Sequence, residues 1–436
     1  MAAVKVAVVG AGSYVFGLSV LAQALLEHRL EGVELALMDV NARVLAAMAA
    51  VGRRMARDSG GHCQITTHPD WSSALDGADF VLCSAAREMQ KRWAMDCDII
   101  DRFLPGHSVT EFGGIAGISY SLRQIALISD LADAMKRLCP NAWLLTSSNP
   151  LPRVCQAAHE KGVPTVGFCS ASLGGLGSLW RLYHGQDLRF PFTAALVEWD
   201  FAASGVNHFT WLLEFRDRAT GRDLLEDLRR RLSEGGSTGN PLSERLARET
   251  GFFPLPHQGH YLDFITPHGP PPPRHEPYHG TSAEREERLG LLRQAASGEQ
   301  PWPGLLDQPA WERPIDLVTA MAFGERASFT SLNLVNAGQV PNLPANVFVE
   351  TPATADGPQG PVPRTLPLPE TVVPYCEHAA RVTDAIVRAA EKRSRRLLHH
   401  AVELDPTIMD KAAGLRAIDA CLEAHADVLP TFPPGG

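Results

Sequence analysis

Three groups of residues in this sequence have types and spacings that suit chemistry. The first is Gly10-Ala-Gly12-Ser13-Tyr-Val-Phe-Gly17, which follows an apolar run and precedes a helical one. Glycines there permit a tight turn and let the backbone approach a pyrophosphate at a helix N-terminus. The third glycine comes later than in the G-x-G-x-x-G spacing, where Val15 stands in its place. Asp39 closes the next apolar run, where a carboxylate can hold both hydroxyls of a ribose, which favours NAD over NADP. The second group is Thr146-Ser-Ser-Asn149-Pro150, which offers a fixed amide at the end of a strand for a substrate or the nicotinamide. The third joins Cys169, in Gly167-Phe-Cys169, to His208, in Gly205-Val-Asn207-His208-Phe. A thiolate and an imidazole can bind a transition metal and leave positions open for substrate oxygens. By spacing alone, a buried thiol and a structural histidine remain the commoner reading of that pair.

These groups need a scaffold that puts strand ends beside one another. Residues 4–9, 33–38, 80–84, 142–146 and 162–169 read as short apolar strands, and 18–28 and 41–57 as helices between them. Such alternation means βαβ units with right-handed crossovers, hence a doubly wound, mostly parallel sheet of Rossmann type. Ligands then bind at the carboxyl ends of the strands. After about residue 190 the rhythm changes. Strands are expected over 194–215, a charged helical stretch over 222–250, and helices over 372–399 and 407–426. The expected organisation is an NAD-binding domain over 1–192 and an α+β domain over 193–436 for substrate, metal and oligomerisation. Residues 267–280 hold so many prolines that neither helix nor central strand suits them, which predicts a surface loop or lid.

Composition bounds the rest. The 436 residues are 45% hydrophobic and 20% charged, a globular balance that needs no disulfide to fold. A net charge of −9 argues against a nucleic-acid partner. No apolar run is long enough to span a membrane, and eight scattered cysteines fit reduced thiols in the cytoplasm.

Together these pieces resemble the NAD- and divalent-metal-dependent glycosidases of glycoside hydrolase family 4, relatives of lactate and malate dehydrogenases. The resemblance runs from Gly10-Ala-Gly-Ser through Glu111-Phe-Gly-Gly-Ile-Ala-Gly-Ile-Ser-Tyr-Ser-Leu-Arg123, Ser148-Asn149-Pro150, Cys169 and Asn207-His208. It ends in the long stretch Val335-Asn336-Ala-Gly338 to Glu350-Thr-Pro352. It implies cleavage of an O-glycosidic bond, on an α-glycoside, by NAD-assisted oxidation at C3, loss of the C2 proton and β-elimination. It further implies Mn²⁺ or another divalent metal on Cys169 and His208, Asn149 on a sugar hydroxyl, and a homodimer or homotetramer. Many α-acting members carry an aspartate where Gln258 stands, and an amide cannot remove a proton. His257, His260, Tyr261 and Asp263 are left as candidates for the base, with His260 or Tyr261 favoured. Two other readings compete with this one: a 2-hydroxy-acid-type dehydrogenase, and an NAD(H) sensor without catalysis. Arg87, Arg123 and Arg313 could meet an anion on the substrate, although structural ion pairs suit them better.

Overall fold

A computed structural model of the chain describes residues 4–14, 16–266, 281–306 and 312–433. The proline-rich 267–280 stretch lies outside the described residues. The apolar runs form β1 (Val4–Val9), β2 (Val33–Met38), β4 (Phe80–Cys83), β5 (Trp143–Thr146) and β6 (Thr165–Gly167). A strand that the sequence pattern did not suggest, β3 (Gln64–His68), is short and polar and pairs β2 at the sheet edge. The order β3-β2-β1-β4-β5-β6 is parallel throughout, which is the doubly wound arrangement expected.

The second half does not build a separate sheet. Its strands are β7 (Trp199–Val206), β8 (Phe209–Asp217), β9 (Ala327–Val335), β10 (Phe348–Ala355) and the short β11 (Val362–Pro363). They continue the same sheet in the order β6-β9-β10-β7-β8, now antiparallel, with β11 beside β10.

Alternate side chains of β1 serve two cores, as a strand of period two requires. Val6 and Val8 join a layer with the helices Phe16–Ala22, Ala42–Ser59, Ser282–Ser297 and Pro314–Phe323. Ala7 and Val9 join the opposite layer, with the helices Met89–Phe103, Gly114–Leu138, Val373–Lys392, Arg395–Leu404 and Lys411–Ala424. Helices from the second half therefore cover both faces of the first half's sheet.

Several expected boundaries shift for local reasons. The helix expected over 18–28 is α-helical only over Phe16–Ala22 and continues as a π turn over Gln23–Glu27. The strand region expected from 194 begins with the helix Thr193–Glu198. The charged 222–250 stretch is two helices, Leu225–Ser233 and Pro241–Thr250, separated by a segment containing Gly235, Gly236 and Gly239. The helix expected over 372–399 stops at Arg393, whose φ is +50°, and Ser394 caps the next helix by accepting from Leu397 N. No disulfide links the eight cysteines.

Candidate active site

The sheet register aligns the strand ends in one transverse row. Met38, Val9, Cys83, Thr146 and Gly167 are successive partners at the carboxyl ends of β2, β1, β4, β5 and β6. The row continues through Asn333, Glu350, Gly205 and Thr210 on β9, β10, β7 and β8. One to three residues beyond the row lie Gly10, Asp39, Asn149, Cys169 and, past the end of β7, His208. Residues far apart in sequence thus share one crevice edge.

At its first end the glycine loop is built for close approach. Gly10 has φ +86°, a left-handed conformation that glycine adopts freely. A Cβ on Gly12 would lie 2.7 Å from Asp39 Oδ2, and one on Gly17 would lie 2.2 Å from the carbonyl oxygen of Ala11. Gly17 therefore performs the packing task of the third glycine despite its later position. Gly12 N donates to Asp39 Oδ2 at 2.9 Å and Asn41 N donates to Oδ1 at 2.8 Å, which fixes the half-buried carboxylate over the loop. Ser13 is occupied locally: its N donates to Gly10 O and its Oγ accepts from Phe16 N, so it shapes the loop and caps the helix. This cradle fits a dinucleotide.

Further along the row, Asn149 Nδ2 donates to Glu111 Oε2 at 2.8 Å, and burial raises the Glu111 pKa. Phe112, the next residue, packs its ring 4.1 Å from the His208 ring. One short loop before the Gly114–Leu138 helix thus steadies both Asn149 and His208. The loop is pinned in turn: Asp263 Oδ2 accepts from Phe112 N at 3.2 Å, and Arg153 donates to Phe112 O at 2.7 Å.

His208 occupies a two-residue turn between β7 and β8 with φ +66°, a conformation uncommon outside glycine and asparagine. It is 8% exposed, and burial, reinforced by His260, holds its pKa well below the usual value. A neutral imidazole is the form that binds a metal. Cys169 is partly buried, and burial together with the Glu350 charge pushes its thiol up to about 12. A bound cation reverses such a shift, because coordination deprotonates a thiol. Asn207 links the two: its side chain opposes the upward shift of the Cys169 thiol, and it directly precedes His208. Its Oδ1 is buried without a hydrogen-bond partner among the described residues. A soft sulfur, a neutral imidazole and an unpartnered amide oxygen fit a divalent cation. Among the described residues no group of three or more histidine, cysteine, aspartate and glutamate side chains gathers to hold a metal.

The four candidates for the base separate clearly. The His260 ring lies 4.6 Å from that of His208, edge to face. His260 Nδ1 is 3.3 Å from the carbonyl oxygen of His257, while His257 Nδ1 accepts from Gly259 N as the cap of the Gln258–Tyr261 helix. Tyr261 is fully buried, stacks on Phe209, and shares a hydrogen bond with the Ser243 hydroxyl; burial raises its pKa. Asp263 is spent on the 110–113 loop, and burial pushes it up to about 7. Gln258 uses its Oε1 to accept from Leu242 N. Arg123 pairs with buried Asp96, Arg313 with Glu27 and Asp316, and Arg87 with Asp130, so all three sit in ion pairs. Two carboxylates bonded to Asn149 and Asn207, namely Glu111 and Glu350, have no spacing that marks them in the sequence. Both lie inside the motifs quoted above, but only their partners reveal them.

A family model described as family 4 glycosyl hydrolase matches residues 5–182, and the model of that family's C-terminal domain matches residues 203–408. The chain is 25% identical over 458 residues to an alpha-galactosidase of Bacillus subtilis (strain 168), covering 98% of this chain and 99% of that protein. It is 31% identical over 232 residues to an alpha-glucosidase of Erwinia rhapontici, covering 52% of this chain and 49% of that one. Its fold is similar to the crystal structure of a 6-phospho-alpha-glucosidase from gut microorganisms in complex with NAD and Mn²⁺. The TM-score is 0.78 at 19% identity, over 99% of this chain and 100% of that one.

Proposed function

The chain belongs to the family 4 glycosyl hydrolases, and we propose that it cleaves an α-glycoside by oxidation at C3, deprotonation at C2 and β-elimination of the aglycone, after which water adds at C1, C2 is reprotonated and the hydride returns to C3. The observation that carries this reading is the transverse row, which sets a dinucleotide loop and the Cys169–His208 pair along one crevice edge. NAD, held by the Gly10–Gly17 loop and Asp39, would supply a hydride acceptor, and a divalent metal, held by Cys169 and His208, would supply positive charge to stabilise the enediolate. The α-acting relatives support the choice of anomer.

The chain's own residues do the rest. Asn149 holds a sugar hydroxyl, with its amide oriented by Glu111. His260 removes the C2 proton, a task that suits an imidazole standing 4.6 Å from the His208 ring. Tyr261 would have to ionise inside an apolar cluster, so His260 is the better base. Cys169 and His208 hold the metal, and Phe112 fixes the plane of the His208 ring. Residues 1–192 carry the cofactor, and 193–436 provide most of the substrate side.

Among the described residues no helix is long and apolar enough to cross a membrane, which suits a cytoplasmic enzyme acting on a small glycoside. Assembly as a dimer or tetramer accompanies the family reading, and light scattering against the 47.3 kDa chain mass checks it.

Turnover in deuterated water tests the mechanism. The sugar product should carry deuterium at C2, because that position is reprotonated from solvent. His260→Ala should stop exchange while NAD still binds. Cleavage with no label at C2 means direct hydrolytic displacement and removes the proposed chemistry.

A further inference from the structure

One carboxylate lies beneath this crevice edge with no cation beside it. Glu350, on β10, is 1% exposed, and its backbone stands in the transverse row between Asn333 and Gly205. Its Oε1 accepts from the hydroxyls of Ser172 and Ser331, and its Oε2 from Asn207 Nδ2 at 2.8 Å and Asn333 Nδ2 at 3.3 Å. All four donors are neutral, and among the described residues no ion pair reaches Glu350. A buried carboxylate is costly unless positive charge compensates it, and neutral donors do so only in part.

The surroundings add to the imbalance. Asn207 and Asn333 both turn their NH₂ groups to Glu350, and among the described residues both of their buried Oδ1 atoms lack a hydrogen-bond partner. The negative end of each amide dipole is therefore uncompensated. The donors also lie close in sequence to the metal candidates: Ser172 follows Cys169 by three residues, and Asn207 immediately precedes His208.

We propose that Glu350 is the buried counter-charge of the divalent cation held by Cys169 and His208, and that it positions the two turns carrying them through Ser172 and Asn207. This rests on the metal site in the reading above. Glu350 touches neither sugar nor cofactor. It is a positioning residue, and it makes the metal-free chain hold a negative charge that the cation neutralises.

Glu350→Gln removes the charge and keeps the shape. The new carbonyl still accepts from Asn207 and Asn333, and the new NH₂ meets two serine hydroxyls that can rotate to accept. In the metal-free chain its thermal midpoint should equal or exceed the wild type's, since an uncompensated charge is gone. Its Mn²⁺ affinity by calorimetry should fall at least about tenfold, as loss of outer-shell support does elsewhere, with NAD affinity unchanged. The sulfur-to-cobalt charge-transfer band of the Co²⁺-loaded protein should weaken in parallel. A lower metal-free midpoint with Mn²⁺ affinity intact would show Glu350 to be packing alone and overturn the proposal. Glu350→Asp supplies the second arm: it keeps the charge, gives up part of the hydrogen bonding, and should retain Mn²⁺ affinity to within about fivefold, below the usual outer-shell loss. Equal losses of affinity in the Asp and Gln variants would also overturn it. If the wild-type chain itself takes up neither Mn²⁺ nor Co²⁺, the metal site fails and this inference with it; if it does and Glu350→Gln does equally well, only the role of Glu350 fails.

Discussion

Asp39 is held on two sides, by the amides of Gly12 and Asn41, before any ligand arrives. A carboxylate so fixed loses little freedom when a ribose diol binds, so its hydrogen bonds contribute at nearly full strength. Asp39→Ala should weaken NAD binding more than about tenfold, on the scale of a lost charged hydrogen-bond pair; unchanged affinity in calorimetry would remove Asp39 from the site. Asp263 makes a different statement, because its carboxyl is pushed from 3.8 to about 7 by burial. The folded chain then keeps a proton that the unfolded chain releases, so stability declines as pH rises from about 4 to about 7. Asp263→Asn should flatten that decline, and thermal midpoints measured at about pH 5 and about pH 8 should differ by a few degrees less than in the wild type. An unaltered slope would place the titration elsewhere. At this scale the sequence revealed groups whose type is itself informative: the glycine turn with Asp39, and a cysteine and a histidine inside quotable motifs. Glu111 and Glu350 stayed hidden, because an acid's role depends on burial and partners, and neither has a spacing. The choice between His260 and Tyr261 likewise needed the apolar cluster around Tyr261 to be seen.

The elements that support the site differ in how plainly they are written. Buried parallel strands are short apolar runs, so β1, β2, β4, β5 and β6 follow from the sequence with shifts of a residue or a few. The edge strand β3 does not, since its Gln-Ile-Thr-Thr-His run carries little apolar signal. The Gly114–Leu138 helix was obscured in another way. Its glycine-rich opening carries no helical pattern, yet Gly114 takes φ +65° and Gly117 would place a Cβ 2.3 Å from Phe112 C, so the glycines let the chain fold tightly into the helix. The same reasoning applies to Gly17 in the Phe16–Ala22 helix. A Cβ there meets a backbone carbonyl, which cannot rotate away as a side chain would. Gly17→Ala should push that helix off β1, lower the thermal midpoint by several degrees, and weaken NAD binding at least about tenfold through the displaced loop. Wild-type affinity in this variant would mean that the loop does not depend on that packing.

Both family models fall within one sheet, and this decides how the molecule should unfold. The break between them, near residues 183–202, is not a break in the structure: β9 and β10 pair β6 on one side and β7 on the other. The helices Val373–Lys392 and Lys411–Ala424 pack on the first half's core through Val382, Ile386, Ile418 and Cys421. These helices have partners within their own chain and do not require a second copy to cover them. Neither half could separate without exposing strand edges in the middle of the sheet and stripping both apolar layers. Hence heat should unfold the whole chain in a single transition, although its length would allow two. NAD contacts the first half alone in the proposed site, but its binding energy should be shared. At a free concentration about 100-fold above Kd the entire transition should gain about 2.7 kcal/mol, with probes in both halves moving together. Trp71 and Trp93 report on the first half, Trp199 and Trp211 on the second. If differential scanning calorimetry resolves two transitions and NAD moves only one, the halves are energetically separate and the boundary proposed at 192/193 is a true domain border. If one transition moves as a whole, that boundary divides functions within a single folding unit, and damage anywhere along β9 or β10 should reach the cofactor loop.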